Sequence, residues 1–393
     1  MSVNPQTWFV IGFYAIIVLL IIVFRKKFEF QAKFIALFRT KLGLKAMDKI
    51  SKRFPRTVRF IGYIGIYVGY AGMAVMTYYI LYSLFIFFTI PDAAATIAPV
   101  IPGVRIPGSP VFVPFLYGIL AIFIVAAVHE FSHGVVARAH GIKVKNSGIV
   151  FFGPLIGAFV EPDEKQLQKK KAIVQNSMFA AGPWSNIILA AIVFVLLSFV
   201  FTPAIHSLVE EEGFYFGNVQ EGLPASVAGL KNHTIYTFVN NQTVINAEEF
   251  IDAMVGIQPN DTILIGNENE SIKVVAGVRD DDENKGYIGV LGIYTKNELK
   301  KDSFMFVYVV LDWFSELFVW VFILTLGIGL ANLLPLGALD GGRMLRLALL
   351  KWFDRKKADK IFKIVSLCFI VFLILLFIPI IRSVGTVFVG WLV

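Results

Sequence analysis

The chain is short of cysteine and of charge, and each shortage excludes something. Only 16% of its 393 residues are charged and 57% are hydrophobic, whereas a soluble domain is nearer a quarter charged. A wholly water-soluble protein is thereby excluded, and a membrane protein with some water-exposed part is expected. The one cysteine, Cys368, lies in an apolar run, so no internal disulfide can form and the redox compartment is undetermined. No basic residue precedes the first apolar run, and Arg25-Lys26-Lys27 follows it. That run is expected as an anchor with its N terminus outside rather than a cleaved signal.

What the chain does have is apolar runs of bilayer length, which takes about 20 residues. Six fit, at roughly 7–24, 60–88, 111–137, 178–201, 304–334 and 362–381. Basic stretches at 25–59, 143–171 and 343–363 are expected on the cytoplasmic side, which leaves 91–110 and 202–302 outside. Segment 202–302 carries 16 acidic and 7 basic residues, a net of −9, so the rest holds +17 of the overall +8. Basic flanks against anionic headgroups account for that surplus, and no nucleic acid is implied. The Asn-x-Ser/Thr patterns at Asn232, Asn241, Asn260 and Asn269 all fall in that outer segment.

Segment 202–302 differs in kind from its surroundings. Short alternating strands such as "TILIG" and a helical "NAEEFIDAMVG" describe an α/β insert of single-domain size. "GNVQEGLPASVAGLK", Gly217 to Lys231, resembles a PDZ domain. The resemblance implies a sheet edge that takes a peptide terminus, with "GFYFG", Gly213 to Gly217, as the end-binding loop. The apolar "GIVFFGPLIGAFV", Gly148 to Val160, is too short to span and is broken by Gly153, Pro154 and Gly157. It is expected to form a re-entrant loop or β-hairpin beside a cavity at the cytoplasmic face.

The chemistry sits in "HEFSH". His129 and His133 are four residues apart, so a helix carries both imidazoles on one face at a spacing suited to one zinc ion. Glu130 beside them can act as general base on a water. Ionisable groups inside a span are costly and usually functional. A third ligand is needed. His140 is nearest, but the H-E-x-x-H-x-x-G-x-x-H spacing would need Gly at 136 and His at 139, which are Val136 and Ala139. Glu161 lies in a solvated run. Asp340, in "NLLPLGALDGGRM", is the better choice, poorly hydrated just past an apolar span. Arg138 and His140 are assigned to the wet end of the helix.

"HEFSH", "NLLPLGALDGG" and "AAGPWSN", Ala180 to Asn186, resemble in order and spacing the motifs of the site-2 proteases, intramembrane zinc metalloproteases. The resemblance implies one Zn2+ held by His129, His133 and Asp340, with Glu130 as proton carrier. Asn332, Gly153, Pro154, Gly157 and Asn186 would bind substrate. The expected fold is mostly α, a polytopic protein of about six transmembrane helices with a re-entrant β-hairpin and an extracytoplasmic PDZ-like domain. The expected divisions are 1–110 (N-terminal helices and basic loop), 111–201 (first half of the core), 202–302 (PDZ-like), 303–352 (second half of the core) and 353–393 (C-terminal helix). The expected partners are a transmembrane-helix substrate, the lipid bilayer and a peptide terminus at the insert, with the active site toward the cytoplasm. A catalytically silent binder of transmembrane segments has no need of Glu130. A metal transporter would carry ionisable residues at several depths, where this chain adds only Asp312 and Glu316.

Overall fold

A computed structural model describes residues 5–31, 35–90, 95–109, 111–152, 155–279, 282–337 and 339–384. The chain is mostly helical. In order it forms α1 Pro5–Val23, β1 Phe28–Gln31, β2 Ile35–Thr40, α2 Leu44–Arg53, α3 Pro55–Thr89, α4 Phe115–Ala139, β3 Val144–Phe152, β4 Leu155–Pro162, α5 Glu164–Gln168 and α6 Ala172–Leu196. There follow α7 Thr202–Leu208, β5 Val209–Val219, α8 Pro224–Ala228, β6 Phe238–Val239, β7 Gln242–Thr243 and α9 Ala247–Ala253. The last elements are β8 Thr262–Gly266, β9 Ser271–Val275, β10 Gly277–Arg279, β11 Asp282–Tyr287, β12 Val290–Leu299, α10 Met305–Ala331, α11 Asp340–Trp352 and α12 Arg355–Leu376.

Among the described residues, five helices are long and apolar enough to cross a membrane: Pro55–Thr89, Phe115–Ala139, Ala172–Leu208, Asp302–Ala331 and Arg355–Val384. They match five of the six expected runs. In the remaining run, the described apolar stretch is Val10–Val23, which is shorter than these five.

The chain divides into two compact units, 1–197 with 314–393, and 198–313. In the first, α3 carries Gly62, Gly65, Gly69 and Gly72 at helical spacing. A Cβ on them would run into Ser177, Trp184, Met344 and Leu333 respectively. Small residues on one stripe let apolar helices approach closely where no hydrophobic driving force separates helix from lipid. The result is a buried core of Met73, Val136, Met178, Phe179, Leu333 and Met344 joining α3, α4, α6 and α11.

The expected hairpin at 148–160 is part of a larger sheet. β3 and β4 pair antiparallel, with Gly148 opposite Phe159 and Val150 opposite Gly157. β2 pairs with β3, and β1 with β2, giving the order β1-β2-β3-β4. The sequence reading placed these first strands in a basic cytoplasmic loop, because "FEFQ" and "IALFRT" are too short to declare themselves. β1 pairs with the neighbouring β2, and the partner that ties both into the sheet, β3, is more than a hundred residues from β2. Gly153 and Pro154 lie outside the described residues.

The second unit packs Phe214, Phe216, Tyr236 and Phe250 into its core. Its longest pairing is β5 with β12, and β7-β6-β8-β9 form a four-stranded sheet. Asn240 and Asn241, both at positive φ, make the two-residue turn between β6 and β7. Gly213–Gly217, expected as an end-binding loop, is instead the middle of β5, with Phe214 and Phe216 in the core. The alternation Phe-Tyr-Phe is a strand pattern, and pairing with β12 satisfies its backbone.

Candidate metal and active centre

The centre lies wholly in the first unit and is assembled from three places. α4 presents His129 and His133, buried at 6% and 8% exposure, with their rings in edge contact. α10 ends at Ala331, and Pro335 prevents its continuation. After a short irregular stretch, Asp340 opens α11 in its first turn, where the helix dipole favours a carboxylate. Gly341 and Gly342 make this re-entry possible: a Cβ on either would collide with the backbone of Leu333 or Leu336. The Gly341 N–H donates to the Asn332 carbonyl at 2.8 Å, closing the turn.

The Asp340 Oδ2 atom stands 3.1 Å from His129 Nε2 and 3.3 Å from His133 Nε2. Two donors on a tetrahedral zinc with bonds of about 2.0–2.1 Å are about 3.3 Å apart, so this donor set fits zinc in kind and in spacing. The space is kept open from below. A Cβ on Gly182 would fall on the Nε2 atoms of both histidines. Pro183, inside α6, removes one intrahelical bond and loosens the same turn. Gly182-Pro183 is therefore a notch in α6 into which the imidazoles fit.

Each imidazole has a partner behind it. His133 Nδ1 donates to the Met178 carbonyl at 2.7 Å, which leaves its Nε2 lone pair toward the centre. Asn186 Nδ2 lies 3.2 Å from His129 Nδ1. Asn186 is fully buried, so this amide, expected among substrate-binding residues, stands behind a histidine rather than on the open side.

Glu130 has donor atoms within 4.8 Å of those of His129 and His133, so those three alone could surround an ion. Its Oε2, however, accepts from the Val160 N–H at 3.0 Å, while Asp340 is in contact with both imidazoles. The geometry therefore favours Asp340 as third ligand and leaves Glu130 tied to β4 at the cavity wall. That cavity, of about 280 Å3, is lined by Glu130, Phe159, Val160, Asn332, Asp340 and Arg343 among others. Asn332 reaches the cavity wall, but its Nδ2 donates to the Ile328 carbonyl at 3.0 Å and caps the end of α10. Gly157 lies in β4 outside the cavity walls, as do Asp312 and Glu316, exposed on α10.

The rejected ligands are engaged elsewhere. Glu161 Oε2 accepts from Arg39 at 2.9 Å and Asn146 at 3.1 Å, tying β4 to β2 and β3. Arg138 pairs with Asp48 at 2.7 Å and donates to the Val144 carbonyl, and Arg59 caps the Ala139 carbonyl at 2.8 Å. His140 packs against Tyr63, ring centroids 5.7 Å apart. Burial, with Arg59 and Lys170 adding to it, pushes the His140 imidazole down to about 4. It is neutral at neutral pH without any need of a metal. His140→Gln is expected to keep the zinc content of the wild type, measured by elemental analysis of the purified protein.

Sequence reasoning missed three contributors: the Met178 carbonyl, the Val160 N–H and Arg343. The first two are backbone groups with no sequence signal. Arg343 was legible as the residue one turn past Asp340. Its guanidinium lies 5.3 Å over the Phe179 ring and 3.5 Å from Glu164.

Two imidazoles and a carboxylate close on one point with a second carboxylate at the wall, in a chain that has five helices of bilayer length among its described residues. The chain belongs to peptidase family M50, whose pattern matches residues 117–376. It is 31% identical over 236 residues to an uncharacterized protein of Methanocaldococcus jannaschii, covering 58% of this chain and 56% of the relative. It is 25% identical over 232 residues to the zinc metalloprotease RasP of Oceanobacillus iheyensis, covering 47% of this chain and 53% of RasP. The chain thus spans about half the length of these curated relatives. Together with its apolar helices, the family makes it an integral, multi-pass membrane protein.

Proposed function

We propose that the chain is a zinc-dependent endoprotease that cuts peptide bonds within or near transmembrane helices of other membrane proteins. The observation that carries this reading is the meeting of His129, His133 and Asp340 beside Glu130 on a cavity walled by an outer strand of a sheet. Zinc, when bound there, would polarise the scissile carbonyl and make a water more acidic. Glu130 takes the proton of the attacking water and passes it to the leaving amine nitrogen. The Val160 N–H holds that carboxylate at the wall, on the side of β4 away from β3.

A helix must unwind locally before such a site can reach its backbone, and each freed polar group needs a partner in lipid. β4 is an end strand of its sheet, paired on one side by β3. An extended substrate segment can add along its other side, past Glu130 and the ligands. The β3–β4 hairpin is then the re-entrant element, and Asn332 supplies a further polar group at the cavity. Basic stretches flanking this end of the helices support a cytoplasmic active site. Segment 202–302 is read as an extracytoplasmic PDZ-like domain. A peptide terminus bound there would pair with a strand edge, since Gly213–Gly217 is occupied within β5.

The test uses the full chain in detergent with a tagged model transmembrane helix. Cleavage that stops with a zinc chelator and returns with added zinc is expected. A substrate that binds the zinc-loaded protein but stays intact would favour a silent binding protein instead.

A further inference from the structure

Asn186 makes a contact that hydrolysis does not explain. It is fully buried in α6. Its Nδ2 lies 3.2 Å from His129 Nδ1, and its Oδ1 has no hydrogen-bond partner among the described residues. A buried amide oxygen without a partner is unusual.

The tautomer of His129 supplies the reason. His129 Nε2 is the atom that meets Asp340 at the centre. To bind a metal, Nε2 must present its lone pair, and the one proton of the neutral ring then sits on Nδ1. An Nδ1–H facing the Asn186 NH2 group would set donor against donor. The two ends of a carboxamide have nearly the same shape, so hydrogen bonding decides which one faces the ring. A half-turn of the amide puts Oδ1 in the same place.

We propose that Asn186 is a positioning residue of the metal centre: in the loaded state its Oδ1 accepts the His129 Nδ1–H and fixes that ring's tautomer and rotation. This rests on the metalloprotease reading above. With the proton on Nε2 instead, facing Asp340, Asn186 would donate from Nδ2 to the bare Nδ1. One side chain thus serves both tautomers. The Met178 carbonyl behind His133 accepts only and cannot do so. The backbone at this position is held by α10. Thr325 Oγ1 donates to the Asn186 backbone carbonyl at 3.2 Å, and a Cβ on Gly329 would come within 2.9 Å of Asn186 Cβ, so α10 packs directly onto this residue.

The deciding measurement is zinc affinity, by competition with a chromophoric chelator, on the full chain in detergent. Wild type, Asn186→Asp and Asn186→Leu are compared. Leucine keeps the shape and removes the acceptor, so its zinc dissociation constant should rise about 10–100-fold, the usual effect of losing an outer partner of a ligand. Aspartate keeps an acceptor, so its constant should stay within a few-fold of wild type or fall. Asn186→Ala repeats the acceptor-free arm should the leucine variant fold poorly. Leucine and alanine variants that bind zinc like wild type would overturn the inference, as would equal weakening by aspartate and leucine. A wild type that binds no more zinc than His133→Ala would overturn the metal centre itself and this inference with it.

Discussion

Glu130→Gln is expected to abolish measurable cleavage while leaving zinc in place. A positioned general base contributes roughly 10²–10⁴-fold in rate, and glutamine cannot take a proton. The substitution is otherwise quiet, because a glutamine oxygen still accepts the Val160 N–H that now bonds Glu130 Oε2. Zinc content separates two roles that geometry brings close together, since Glu130 also lies within 4.8 Å of the histidine nitrogens. Zinc near wild-type level with no product identifies a base. Zinc lost together with activity would make Glu130 a ligand and leave the attacking water without its proton acceptor.

Gly182→Ala should remove the metal altogether. Two effects of opposite sign meet here. Alanine within a helix is better than glycine by about 0.5–1 kcal/mol, so the metal-free protein should be no less stable. Yet the new methyl group would lie on the Nε2 atoms of His129 and His133. The rings must turn away, and the convergence of about 3.3 Å that a zinc ion requires is lost. Steric exclusion at the ligand atoms wins over a small gain in propensity. Zinc should fall from about one per chain to near none, with the thermal transition of the metal-free protein unchanged or raised. A variant that keeps its zinc would show that the centre does not lie over Gly182.

The helices were legible because lipid imposes one requirement on every residue of a span, and composition alone meets or fails it. The strands were legible only in part. "GIVFFGPLIGAFV" stood out because an apolar segment too short to span needs an explanation. "FEFQ" and "IALFRT" offered no such anomaly, and the pairing of the second with β3 joins residues such as Phe38 and Ile149. "GFYFG" was misjudged for the converse reason: its glycines suggested a loop, while its alternating aromatics decided for a strand buried against Tyr236 and Phe250.

Within the centre, the sequence by itself determined the pair His129 and His133 and the position of Glu130, because helical geometry links residues four apart. It also marked Asp340 as a carboxylate in an unsuitable place. Only the tertiary structure decided that Asp340 Oδ2 stands 3.1 Å from His129 across a separation of 211 residues, that Gly182 clears the space for the imidazoles, and that Asn186 faces His129 instead of the cavity. Spacing along one helix is set by the backbone and can be counted. Contacts between helices depend on which small residues let them approach, and no count along the chain reports that.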